Sequence, residues 1–230
     1  MGIKEDLQAE VKKIFAEQWD TRDGTVVPES QNLKLGNDAV KLDGTVLYAD
    51  MSDSTRLVDT QPNTYAAEIY KAYLYCAAKL IRAEGGAITA YDGDRVMAVF
   101  IGDYKNTSAV RAALKMNWAR TNIINPALKA QYPNRDYVVK HSVGIDTSKL
   151  FVARTGIRGS NDLVWVGRSA NYAAKLATLP DSHPTWITEA VYKKLDKAAK
   201  EDNGTSMWEA RSWTAMNKMT IYRSEWAWVL

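Results

Sequence analysis

The sequence predicts an α+β fold built on a ferredoxin-like core, and three observations carry that prediction. Short apolar runs at 45–50, 87–91, 95–101 and 137–145 read as strands. Helical periodicity from Asn63 to Arg82 and from Thr107 to about Ile124 separates them into the order β-α-β-β-α-β, the split βαβ arrangement. Between the second and third runs stands Asp92-Gly93, a strong tight-turn signal that makes those two strands an antiparallel hairpin.

Taken in order, Ile3, Leu7, Val11, Ile14 and Phe15 recur at helical spacing, so residues 3–18 form an amphipathic helix outside the main pattern. A polar stretch over roughly 20–43, with Pro28 and several Gly and Asn, reads as a linker. The expected organisation is therefore an N-terminal helix and linker at 1–43 and one domain at 44–230. The helix from Asn63 stops at Gly85-Gly86, a usual terminator. Pro126 interrupts the helix that starts at Thr107. Strand-like runs follow at 137–145, 149–154 and 162–166, then a helix from Ser169 to Leu179, a strand at 185–188 and a helix from Glu189 to Ala199. The tail 206–228 is strand-rich, and its Trp208, Trp213, Trp226 and Trp228 read as packing and interface.

Composition removes several function classes. A chain of 230 residues, 46% hydrophobic, buries the core of one large domain. Thirty basic against 27 acidic residues leave +3, too little to imply a nucleic-acid or polyanion surface by itself. RNA-recognition domains share this topology but carry paired aromatics on the third strand, where "RVMAVFIG" offers Phe100 alone. A single cysteine, Cys76, excludes a disulfide framework, and His141 and His183 are too few for a histidine zinc site or a Ser-His-Asp triad. The start "MGIKEDLQAEV" lacks an apolar leader and no run reaches the length of a membrane span, so a cytoplasmic protein without membrane or nucleic-acid partners is expected.

The chemistry lies in two carboxylates. In the ferredoxin-like order the strand ending at Asp50 runs antiparallel beside the strand opened by Asp94, so the two side chains meet. Adjacent carboxylates repel, and hard divalent cations relieve them, held by one or two carboxylates plus substrate phosphates. That arrangement suits two-metal chemistry on a nucleoside triphosphate. Ser52, Asp53, Ser54 and Thr55 follow directly and would offer backbone N–H groups to the phosphates.

"LYADMSDST", "YDGDRVMAVF" and "VGRSANYAAKL" resemble, in order, three landmarks of the class III nucleotidyl cyclase catalytic domain, with the similarity spanning roughly 44–188. The resemblance implies a homodimer with composite sites, two divalent cations (Mn²⁺ or Mg²⁺) on Asp50 and Asp94, and attack of the ribose 3′-OH on the α-phosphorus with release of pyrophosphate. Asn171 from the other chain would orient the ribose. Lys175 stands where the family has a transition-state arginine, keeping the charge and losing the planar fork. Ser142 in "VKHSVGID" stands where relatives often carry a phosphate-binding arginine, which leaves Lys140, Arg154 and Arg168 as candidate triphosphate cations.

Base choice departs from the purine pattern. Adenylate-forming relatives place a Lys four residues before the second metal Asp and an Asp or Thr seven before the Asn, and guanylate-forming ones use other polar residues there. Here those positions are Ala90 and Val164, neither able to hydrogen-bond a base edge. Tyr48, two before Asp50, shares its face, and Arg95 follows Asp94, although simple alternation turns Arg95 away from it. The Tyr48/Arg95 pair resembles the pyrimidine nucleotide cyclases of bacterial antiphage defence (Pycsar), which make cyclic UMP or cyclic CMP for a separate effector protein. An arginine donor leans towards UTP over CTP, because uracil offers two carbonyl acceptors. The non-enzymatic rival is an inactive cyclase-like nucleotide sensor, favoured by Lys175 and Ser142 and disfavoured by retention of both Asp and of Asn171.

Overall fold

The computed structural model describes residues 2–230. Its N-terminal part comprises α1 (Ile3–Ala16), β1 (Asp20–Asp23), β2 (Asp38–Met51), α2 (Ser54–Thr60), α3 (Asn63–Ala83) and the hairpin β3 (Ala87–Asp92) and β4 (Arg95–Phe100). Next come α4 (Lys105–Ala119), a single π-helical turn (Arg120–Ile124), α5 (Asn125–Gln131), β5 (His141–Ile157), β6 (Ser160–Val166) and α6 (Arg168–Leu176). The chain ends with β7 (Thr185–Thr188), α7 (Glu189–Lys193), a small ribbon of β8 (Glu201–Asp202) and β9 (Thr205–Ser206), then β10 (Glu209–Trp213) and β11 (Met219–Ser224).

Nine strands form one mixed sheet with the central order β10-β11-β7-β5-β2-β4-β3, while β1 and β6 flank the far ends of β2 and β5. Its β5-β2-β4-β3 portion is the expected antiparallel ferredoxin-like core. Alternation along the strands sorts two buried faces. Leu47, Ala49, Val96 and Ala98 join the cluster made with α3 and α4. Val46, Met97, Val99 and half-buried Tyr48 face the other way, with Ala170 and Ala173 of α6. That helix lies directly on β5: a Cβ at Gly144 would stand 2.1 Å from the Ala173 carbonyl oxygen.

The sheet takes in more of the chain than the apolar runs indicate. Residues 20–43 are not a free linker, because β1 pairs in parallel with the start of β2, and buried Asp38 is held by Arg22 and by the backbone N–H of Lys34. The boundary expected between 43 and 44 thus falls inside β2. The two strands expected at 137–145 and 149–154 are one strand, β5. Its polar middle is paired rather than turned: Asp146 accepts from Arg168 and Thr188, and the Thr147 and Thr45 hydroxyls bond each other.

Pro126 does not interrupt its helix. The π turn carries α4 into α5, and Pro126 sits at the opening of α5, where a missing N–H is tolerated. The helix expected from Glu189 to Ala199 divides into α7 and a 3₁₀ turn at Lys197–Ala199. The tail tryptophans do pack: Trp208 and Trp213 are buried, and Trp226 and Trp228 lie against the α3/α4 core. The stripe on α1 does not, since none of its described residues is buried. Among the described residues no helix is long and apolar enough to cross a membrane.

Candidate active site

Strand pairing brings Asp50 and Asp94 to one corner. Asp50, next to last in β2, is paired in register with Arg95 on β4 and with Ser142 on β5. Asp94 occupies the tight turn of the hairpin, after Gly93 at φ 61°, a left-handed conformation that glycine adopts without strain. Burial, and next the charge of Asp94, push the Asp50 carboxyl up to about 6. One oxygen of Asp94, Oδ2, is buried with no hydrogen-bond partner among the described residues. Two mutually repelling, poorly solvated carboxylates with an unused oxygen fit a divalent cation. No group of three or more His, Cys, Asp and Glu gathers among the described residues, so further ligands would come from substrate and water.

The chain then turns sharply at Asp53 (φ 59°) and enters α2 at Ser54. The expected phosphate loop is therefore short. Ser54 and Thr55 already belong to the helix, and the N–H of Ser52 is committed to the Lys140 carbonyl at 3.0 Å. A cleft of about 360 Å³ opens between this loop and the segment after α6, lined by Asp50 to Asp53 on one side and Ala177 to Asp181 on the other. A second, of about 410 Å³, adjoins it across Asp53 and includes Arg56, Tyr137 and Lys140.

Register also corrects the expected direction of Arg95. Residues directly opposite in an antiparallel pair project to the same face, so Arg95 shares the face of Asp50, and with it that of Tyr48. Its guanidinium lies 2.5 Å from the Asp92 carboxylate. Tyr48, Met97 and Ala90 stand side by side across three strands, next to a bulge at Thr89.

Comparison with known proteins gives the family and the fold. The chain is 56% identical to a uridylate cyclase of Xanthomonas perforans and 49% identical to one of Burkholderia cepacia, in both cases over at least 99% of each chain. It belongs to the uridylate cyclase family. No family model matches the sequence. Among solved structures, a bacterial light-regulated adenylyl cyclase aligns with a TM-score of 0.68 at 18% identity, over 83% of this chain and 54% of the other. The guanylyl cyclase Cya2 aligns equally well at 16% identity, over 82% and 94%. The fold is that of class III cyclase catalytic domains, and the enzyme is a nucleotidyl cyclase.

Within this cyclase chain the remaining residues divide into two groups. Asn171 and Lys175 lie on the exposed face of α6, with Lys175 Nζ 3.8 Å from Met216 Sδ, and neither lines the cleft beside Asp50. Val164 is opposite Ala153, eleven residues along β5 from the Ser142 that pairs with Asp50, roughly 35 Å at the usual strand rise. Of the candidate cations, Arg168 is engaged by Asp146, and Arg154 donates to Asn161 and to the Leu33 carbonyl. Lys140, just before β5, is exposed and lines the second cleft.

Sequence reasoning missed what lies beneath. The Tyr73 hydroxyl, Arg120 Nε, His141 Nδ1 and Ser142 Oγ are all buried without partners among the described residues. Arg120 did leave a trace, a basic residue three positions after Asn117 on an otherwise apolar helix face.

Proposed function

We propose that the enzyme converts UTP to 3′,5′-cyclic UMP and pyrophosphate, with two divalent cations, Mn²⁺ or Mg²⁺, at Asp50 and Asp94. The observation that carries this reading is the shared face of Asp50, Tyr48 and Arg95 beside the apolar Ala90. The bond that forms joins O3′ to the α-phosphorus; the bond that breaks releases pyrophosphate; the hydroxyl proton passes to solvent. The cations, when bound, would make the 3′-OH a nucleophile at neutral pH and neutralise charge on the phosphates. Tyr48 fills the space a purine's second ring would need. Arg95 donates to the uracil carbonyls, and Asp92 orients its fork. Ser52 to Thr55 border the phosphates. Asn171 and Lys175 of a second copy complete the site, holding the ribose and the transition-state charge, which accords with their exposure in one chain. Signalling to a separate effector in bacterial antiphage defence, from the cytoplasm, is the role that the resemblance of the Tyr48/Arg95 pair supports.

The test is competition among equimolar ATP, GTP, CTP and UTP with Mn²⁺, scored by product mass. Cyclic UMP should predominate over purine products by roughly ten- to a hundredfold for each unpaired base-edge group. Predominance of cyclic AMP rejects the pocket, and predominance of cyclic CMP moves the substrate to CTP.

A further inference from the structure

We propose that Arg120, at the π turn ending α4, binds the pyrophosphate end of the substrate. This rests on the reading of the corner as a nucleoside triphosphate site, but not on the identity of the base.

The first observation is an unused donor. Arg120 Nε is buried with no partner, and the residue's one hydrogen bond among the described residues is a long 3.5 Å contact to the hydroxyl of its own neighbour Thr121. It forms no ion pair within 4.0 Å among the described residues. Arg120 is partly exposed as a whole, but this nitrogen is shut from solvent, and folded proteins keep few buried donors unpaired without a use.

The second observation is where that donor is held. Asn117, one turn earlier on α4, bonds His141 Nε2 at 2.7 Å, tying the end of the helix to the start of β5. His141 pairs with Met51, and the next residue, Ser142, pairs with Asp50. Arg120 thus stands beneath the corner where β2 ends and β5 begins, and the α-to-π transition, a distortion common at functional sites, occurs at this residue. Its charge reaches Asp181, which lines the same cleft as Asp50, and Tyr73, which in turn senses Asp50 and Asp94.

The third observation is charge balance. The wall of the cleft beside Asp50 carries Asp50, Asp53 and Asp181 and no Lys or Arg, with Arg56 and Lys140 lining only the adjoining cleft and Arg120 lying behind the wall, although a triphosphate brings several negative charges of its own. Arg168 and Arg154 are engaged elsewhere, and the strand position beside Asp50 is the uncharged Ser142. A guanidinium offers the planar fork that pairs with two phosphate oxygens at once.

The experiment measures binding of inorganic pyrophosphate with Mn²⁺ to the full chain by calorimetry, for the parent, Arg120→Gln, Arg120→Lys and Asp181→Asn, with thermal melting as the check on folding. Arg120→Gln should bind pyrophosphate about ten- to a hundredfold more weakly, while UMP affinity stays within about twofold. Arg120→Lys should lose about three- to tenfold, because charge is kept and the fork is lost; it carries the test if the Gln variant does not fold. Asp181→Asn should bind at least as tightly as the parent. Unchanged pyrophosphate affinity in a folded Arg120 variant, no pyrophosphate binding by the parent, or a loss in Asp181→Asn equal to that in Arg120→Gln overturns the proposal; the last makes Arg120 and Asp181 a structural ion pair. Pyrophosphate has no base, so a wrong nucleotide in the competition assay would reject the UTP reading and leave this one standing.

Discussion

His141 is fully buried, and its Nε2 lies against Asn117 Oδ1. Asn117 Nδ2 is committed to the Thr185 hydroxyl and the Trp226 carbonyl, so the amide oxygen accepts and His141 is the neutral tautomer with the proton on Nε2. Burial, and second the Arg120 charge, bring the imidazole down to about 3 from its ordinary 6.5. The unfolded chain then binds the extra proton and the folded one does not. The stabilising contribution is complete above 6.5 and is lost as pH falls towards 3, at about 1.4 kcal/mol per pH unit. Asp50 acts in the opposite sense: its raised pKa favours the folded state at low pH, an effect reduced by its partial exposure. The two are separated by comparing the parent with His141→Gln, which keeps a donor for Asn117. Urea unfolding at pH 7 and pH 5 should show an acid loss up to about 2 kcal/mol larger in the parent. Equal losses would place the charge change elsewhere. In the sequence this histidine spoke only against a zinc site and a Ser-His-Asp triad, because nothing in "VKHSVG" tells that its ring is sealed against Tyr73 of α3 and Asn117 of α4.

At the scale of elements, the contact of α6 with β5 decides where Asn171 and Lys175 stand. A methyl at Gly144 would meet backbone, 2.1 Å from the Ala173 oxygen and 2.5 Å from the Ala177 nitrogen, so the helix must move rather than a side chain. Gly144→Ala should therefore cost about 1–3 kcal/mol in urea unfolding and lower kcat by about tenfold or more, since α6 carries its exposed face with it. The Mn²⁺ binding proposed for Asp50 and Asp94 should be retained, because both lie on β2 and the hairpin. Parent-like stability and turnover would show that α6 adapts freely. The paired helices and the hairpin were legible as periodicity and turn chemistry, since local pattern alone specifies them. The continuity of β5 was not: Asp146, Thr147 and Ser148 read as a break until Arg168, Thr188, Thr45 and Ser169 supply their partners.

For the whole molecule, the separation of groups is the informative feature. Asp50 and Asp94 occupy one end of the sheet, Asn171 and Lys175 an exposed helix face, and Val164 lies roughly 35 Å along β5 from the level of Asp50. One chain alone does not gather them at the cleft beside Asp50. In the proposed homodimer a two-fold axis brings each carboxylate pair to the partner's α6 and makes two equivalent sites. Asp50→Ala and Asn171→Ala, each reducing cyclisation at least about a thousandfold alone by loss of a metal ligand or of transition-state positioning, should regain up to a quarter of parental activity when mixed in equal amounts. Random exchange makes half the molecules heterodimers, each with one whole site, which is the origin of that fraction. A mixture that stays inactive after subunit exchange is demonstrated by native mass spectrometry would rule out the shared site.

By itself the sequence determined the order of the core strands and helices and the carboxylate pair, because these are written in local periodicity and turn chemistry, while the apolar Ala90 and Val164 gained meaning only through the family resemblance. Tertiary structure decided what depends on partners distant in the chain. Register turned Arg95 onto the face of Tyr48, Arg22 and the Lys34 backbone drew Asp38 into the sheet, and the packing of α4 on β5 left Arg120 with a buried, unpaired Nε beneath the site. Hydrogen bonds and ion pairs between residues 16 to more than 100 positions apart leave no period in the sequence, so the fold alone shows which polar groups are satisfied and which are left for a ligand.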